Sequence, residues 1–88
     1  MNKIDYSKKF KKQFNKLDKK IQNKVHGRVA IFLLNEFEEI LNNHKLRPFH
    51  EGQRSINITG DFRLIYEKVG EDSFLFVAIG THSELYEY

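Results

Sequence analysis

The chain has no cysteine, which removes both a disulfide framework and any zinc site built on a thiolate. A single proline occurs, Pro48, in the connection between a helical and a strand-like region. No apolar run approaches the length of a membrane span, and the N-terminus lacks the apolar centre of a signal peptide. A soluble, cytoplasmic protein is therefore expected. There is no Gly-rich phosphate loop and no carboxylate pair suited to glycoside chemistry. No histidine has a second ligand at helix or turn spacing, so neither a metal nor a small-molecule cofactor is expected. Nothing resembling a repeat, a low-complexity tract or a linker divides the 88 residues. One domain over 1–88 follows, large enough for a core but with little margin.

What is present argues for a folded chain: 40% of the residues are hydrophobic and eight are phenylalanine. The net charge of +3 conceals an asymmetry, with twelve Lys/Arg against five Asp/Glu over 1–47 and three against seven over 48–88. The excess is densest in "KKFKKQFNKLDKK" at 8–20, where Lys8, Lys9, Lys11 and Lys12 lead. Such a block reads as a nucleic-acid footprint or a dock for an acidic partner, or else as a solvated helix face.

Along the chain, "KIDYS" suits a short strand with Ile4 and Tyr6 on one face. Ser7 can then cap a helix whose Phe10, Phe14 and Leu17 form a stripe that leaves the lysines outward. Asp18 can cap a second helix in which Ile21, Val25 and Val29 continue the stripe. Ile31 to Leu34, Phe37, Ile40 and Leu41 complete it, and Asn42-Asn43 stop it. After Asn43 the period becomes 2: "RSINIT" puts Ile56 and Ile58 on one face and Ser55, Asn57 and Thr59 on the other. Gly60-Asp61 then turn into "FRLIYEKV", and "GED" at 70–72 turns into the apolar strand 74–79. The expected class is α+β: two N-terminal helices packed on one face of a small antiparallel sheet, with a short N-terminal strand in addition.

The sheet face away from the helices is then expected to carry Ser55, Asn57, Thr59, Arg63 and Glu67 in the open. Beside it runs a loop with His44, Lys45, Arg47, His50 and Arg54. If Thr81 or Ser83 caps a final helical turn, His82 and Tyr86 fall on one side of it, four residues apart. Imidazoles, cations and a phenol in one place suit RNA cleavage by a ribose 2′-hydroxyl. That reaction needs a base, an acid and fixed cations for the charge that builds on phosphorus. Histidine exchanges protons near neutral pH and arginine forks onto phosphate oxygens. DNA, lacking the 2′-hydroxyl, would escape. The same residues have ordinary uses: a histidine after a strand is commonly structural, Tyr86 and Tyr88 suit edge packing, and Arg63 can pair with Glu67.

Three stretches, "NHKL", "RSINITGDFRLIYE" and "FVAIGTHSELY", make the chain similar to the RelE/ParE superfamily of bacterial type II toxins, nearest its YafQ-like branch. The resemblance is closest over 40–88; the helical part matches in layout more than in sequence. It implies a RelE-like fold and an mRNA interferase that cuts translated message in the ribosomal A site and is neutralised by a cognate, acidic antitoxin. It implies catalytic roles for His82, for Tyr86 as the C-terminal aromatic, for Arg63 as a phosphate-binding strand arginine, for Asp61 beside the site and for His44. Phe62 completes the Asp-aromatic pair. With Lys8, Lys9, Lys11, Lys12, Lys45, Arg47 and Arg54 it makes up the expected RNA-binding set, the four N-terminal lysines being read as ribosomal RNA contacts and part of the antitoxin surface.

Two departures stand out: Asn57 and Ala78 occupy positions where YafQ-like sequences have a histidine and an arginine. His50 and Arg54 are left as candidates to compensate. The rival within the superfamily is a ParE-like, non-catalytic blocker of DNA gyrase. A third reading is a toxin relic that only binds antitoxin or RNA.

Overall fold

The computed structural model describes residues 2–46 and 52–86, with Tyr86 described in its backbone alone. Arg47, Pro48 and His50 lie outside the described residues. The elements are β1 (Lys3–Tyr6), α1 (Lys8–Asn15), α2 (Lys19–Leu34), a 3-10 turn (Glu39–Leu41), β2 (His44–Lys45), β3 (Gln53–Asn57), β4 (Phe62–Gly70), β5 (Ser73–Thr81) and α3 (His82–Tyr86). One five-stranded sheet has the order β1-β5-β4-β3-β2. All its pairings are antiparallel except β1 with β5. The α+β class with two helices on one sheet face is what the sequence predicts; the parallel N-terminal strand beside β5 is an addition to the meander.

Local chemistry builds the helical layer as expected. The Ser7 hydroxyl oxygen accepts from the Phe10 N–H at 2.9 Å, and Asp18 Oδ1 accepts from the Ile21 N–H at 2.9 Å. Each satisfies one of the donors a helix start leaves unpaired. Ser7 also donates its hydroxyl hydrogen to the Val77 carbonyl at 2.7 Å, tying the start of α1 to β5. Under the helices lies the core of Phe10, Val25, Phe32, Leu41, Ile56, Ile58, Leu64, Tyr66, Phe74, Phe76 and Ile79. Phe32 packs edge-on against Tyr66 and Phe74, with ring centroids 4.8 and 4.9 Å away, the arrangement aromatic quadrupoles favour.

Two expectations are corrected. The second helix stops at Leu34 rather than running to Leu41. Asn35 leaves helical geometry, and its side-chain oxygen accepts from the Phe37 N–H at 3.0 Å, so the chain turns. Leu41 is then folded back into the core with no exposure, and Asn42 ends the turn in the left-handed region at φ 45°. The turn is held by a polar chain: Lys68 pairs with Glu36 at 3.2 Å, and Glu36 Oε2 accepts from the Tyr66 hydroxyl at 2.8 Å. That hydroxyl accepts from Asn43 at 2.7 Å, and Asn43 Oδ1 accepts from Arg54 Nε at 2.6 Å. Burial, the leading cause, pushes the Tyr66 phenol up to about 12.

The second correction concerns the far sheet face. It is not open: Ser55 is fully buried, and Ile65, Ala78 and Leu85 form a second small core there, with Leu46 and Val77 against it. The sheet has two apolar faces to cover, and α3 with the β2 edge covers the smaller one.

Candidate functional site

The turn between β3 and β4 is shaped by Thr59, whose hydroxyl oxygen accepts from the N–H groups of Asp61 and Phe62 at 3.2 and 3.0 Å. Arg63 braces it from the strand: Nη1 donates to the carbonyls of Thr59, Gly60 and Phe62 at 3.1, 3.0 and 3.3 Å. The guanidinium is thus fixed at the turn, with no ion pair to Glu67 among those found in the described residues.

Strand register brings the C-terminal motif to this turn. Phe62 stands opposite Thr81 and Arg63 opposite Gly80, and the His82 N–H donates to the Asp61 carbonyl at 3.0 Å. The final helix starts on a reciprocal pair: Thr81 Oγ1 accepts from the Glu84 N–H at 3.2 Å, and Glu84 Oε1 accepts from the Thr81 N–H at 2.8 Å. This is a capping box. Leu85 anchors the helix on Ile65 and Ala78, while His82 stays exposed. Asp61, Phe62, Arg63 and His82 therefore meet at one end of the sheet.

Asn57 stands opposite Arg63 in the neighbouring ladder, and its Oδ1 is buried without a hydrogen-bond partner. Tyr86 follows in the same helix, its side chain outside the described residues.

Other expected site residues lie elsewhere. His44 is exposed on the edge strand β2, three strands from β5 and so about 14 Å across the sheet. Its Nδ1 lies 2.9 Å from the Asn42 carbonyl. A carbonyl only accepts, so Nδ1 carries the hydrogen and Nε2 is the nitrogen left to act. Lys45, also exposed, stands opposite Arg54. Arg54 is engaged with Asn43 and lies over the Phe37 ring at 5.2 Å, which makes it part of the 35–43 scaffold. Lys8, Lys9, Lys11 and Lys12 are exposed on α1, on the opposite side of the sheet from Arg63.

A groove of about 640 Å³ connects the helical layer to the site; among its lining residues are Lys16, Leu17, Phe62, Gly80, Thr81 and Glu84. Gln13 holds its wall by accepting from the Ile79 N–H at 2.8 Å. Lys16 was hidden in the sequence among eight other lysines of the N-terminal 24 residues. Glu84 was readable, since Thr-x-x-Glu ahead of an apolar residue signals a capping box. A second groove of about 400 Å³ opens between α1 and α2 over Phe10, Phe14, Val25 and Phe76, with Lys11 at its edge. Among the described residues no group of three or more His, Asp or Glu is placed to hold a metal ion. No helix there is long and apolar enough to cross a membrane.

Comparison with known proteins agrees with this fold. Residues 2–87 match the family described as bacterial toxin of type II toxin–antitoxin system, YafQ. Among solved structures, YafQ from E. coli is similar at 23% identity, with 98% of this chain and 99% of that chain covered and a TM-score of 0.81. The E. coli DinJ–YafQ toxin–antitoxin complex matches at 24% identity over 97% of each chain, TM-score 0.75. The heterotetrameric YoeB–YefM toxin–antitoxin complex from Staphylococcus aureus matches at 21% identity over 93% of this chain and 98% of that one, TM-score 0.76. No curated protein sequence matches.

Proposed function

Because the chain belongs to the YafQ family of bacterial type II toxins, we propose that it acts as a ribosome-dependent endoribonuclease on translated mRNA. The observation that carries this reading is the meeting of His82 with Asp61, Phe62 and a braced Arg63 at one end of the sheet. In the reaction a base takes the proton of the ribose 2′-hydroxyl, the O2′–P bond forms, and the P–O5′ bond breaks as O5′ receives a proton. The products are a 2′,3′-cyclic phosphate and a 5′-hydroxyl. The message supplies its own nucleophile, so the chemistry requires no cofactor.

His82 exchanges a proton in this scheme, its side chain exposed and its N–H donating to the Asp61 carbonyl. Arg63 supplies a positive charge that is already oriented before phosphate arrives, which is where such a charge contributes most. Phe62, half-buried against the helical core, offers a base only the exposed part of its ring, and Tyr86 a phenol or a second ring. The exposed lysines of α1 contact ribosomal RNA and, when the toxin is neutralised, an acidic antitoxin. Its apolar side chains enter the groove between α1 and α2 while its carboxylates meet the lysines. The DinJ–YafQ complex is a precedent for such a partner. Work on the ribosome places the protein in the cytoplasm.

Asn57 and Ala78, at positions where the family carries His and Arg, favour a second reading: a protein that binds antitoxin or RNA without cutting. Primer extension on a message after induction tests both. In-frame cuts confined to translated RNA are expected. Intact messages with growth arrest would refute cleavage, and gyrase-dependent DNA damage would point to a ParE-like action instead.

A further inference from the structure

Resting on the cleavage reading, we infer that Glu84 is a positioning residue for His82, and that Gly80 is glycine in order to leave room for it. The final helix has five residues, too few to persist by its own hydrogen bonds. Where His82 sits, as the first of them, depends on what holds that turn. Among the contacts that hold it are Leu85 in the small core, the His82 N–H on the Asp61 carbonyl at 3.0 Å, and the reciprocal Thr81–Glu84 bonds at 2.8 and 3.2 Å. The last is made by the exposed side chain of Glu84, so it is removable without opening the core or the sheet.

Gly80 belongs to the same device. A Cβ built on it would lie 2.9 Å from Glu84 Oε1, closer than real Cβ atoms come, but at 3.6 Å from Glu84 Cβ and 3.5 Å from Leu85 Cδ2, which is ordinary contact. Among the described residues only Gly52 is a glycine at positive φ, so Gly80 is not required by its backbone. The carboxylate of Glu84 is what occupies the space. With Gly80 opposite Arg63, a displaced Glu84 carboxylate loosens the turn that carries the imidazole next to the strand carrying the guanidinium.

The test is a set of single-turnover cleavage rates on programmed ribosomes, with ribosome affinity measured alongside, for Glu84→Ala, Glu84→Gln, Gly80→Ala and the double variant Gly80→Ala/Glu84→Ala. Glu84→Ala is expected to slow cleavage by about 10- to 100-fold, the scale of a small misplacement of a reacting group. Affinity should be unchanged. Glu84→Gln keeps an acceptor for the Thr81 N–H and restores the rate. Gly80→Ala alone slows cleavage comparably by evicting the carboxylate, and adds nothing once Glu84 is alanine, because the colliding atom is gone. A wild-type rate in Glu84→Ala, a glutamine variant as slow as the alanine one, or losses that multiply in the double variant would each overturn the inference. If the unaltered protein fails to cut translated message, the cleavage reading itself has failed. Exchange of the Thr81 amide hydrogen then decides the structural part: faster exchange in Glu84→Ala and Gly80→Ala supports the device, and unchanged exchange refutes it.

Discussion

Replacing His82 by alanine tests the imidazole's chemistry while keeping the backbone bond that ties residue 82 to the turn between β3 and β4. The N–H of residue 82 donates to the Asp61 carbonyl at 3.0 Å, and alanine keeps that bond. The neighbouring Thr81–Glu84 pair does not involve residue 82, and the side chain of His82 is exposed and outside both core clusters. Loss of stability should therefore stay within about 0.5 kcal/mol, the usual range for a surface position. Alanine at the first turn of a helix costs nothing in propensity. If the imidazole moves a proton in the transition state, cleavage should fall by about 10²- to 10⁴-fold, or roughly 3–5 kcal/mol of barrier. Ribosome affinity should hardly move, since one imidazole is a small part of an interface dominated by lysines. The assay is a single-turnover cleavage time course and a melting curve on the same preparation. A variant that cuts at the normal rate per folded molecule would remove His82 from the mechanism.

Neutralising Lys8, Lys9, Lys11 and Lys12 together should weaken ribosome binding and lower the slope of log affinity against log salt by about one per lost phosphate contact; an unaltered slope would leave these lysines as solvated decoration. Reversing the same four to glutamate should slow association with an acidic antitoxin and make added salt speed it where salt slows the unaltered pair, and co-purification that persists unchanged would exclude this surface. Arg63→Ala should cost cleavage up to a few kcal/mol of transition-state stabilisation and also slacken the 58–62 turn, seen as faster amide exchange at Phe62; Arg63→Lys, which lacks the planar guanidinium fork that matches phosphate oxygens, should not restore the rate. Tyr66→Phe should cost about 1–3 kcal/mol in urea unfolding at neutral pH, because Glu36 and Asn43 lose a buried partner. The wild-type phenol keeps its proton to about 12 when folded against 10.0 ordinarily. The folded state thus binds the extra proton, and wild-type stability should fall by about 2–3 kcal/mol more than that of Tyr66→Phe as pH rises from 10 through 12. Parallel pH curves for the two would refute that burial.

Much of this protein is determined by residues three or four apart. Ser7 and Asp18 cap their helices because a hydroxyl or carboxylate oxygen reaches the N–H three residues on, whatever the rest of the chain does. The alternation of Ile56 and Ile58 with Ser55 and Asn57, and the turn chemistry of Thr59, Gly60 and Asp61, are equally local. Local rules also carry the motif that ends in His82, since Thr81 and Glu84 cap one another across a single turn. What the tertiary structure alone decided depends on partners beyond the local turn. The apolar stripe continues past Leu34, yet the helix stops there because Glu36 is claimed by Tyr66 and Lys68, and Leu41 by the core. Alternation tells which residues share a face but not what covers it, so Ser55 reads as open until α3 folds over Ile65 and Ala78. Arg54 looks like a free cation in the sequence, but Asn43 holds it. Strand register finally brings His82 to Asp61, because that pairing is set by apolar contacts along the whole length of β4 and β5 and by no spacing within either strand.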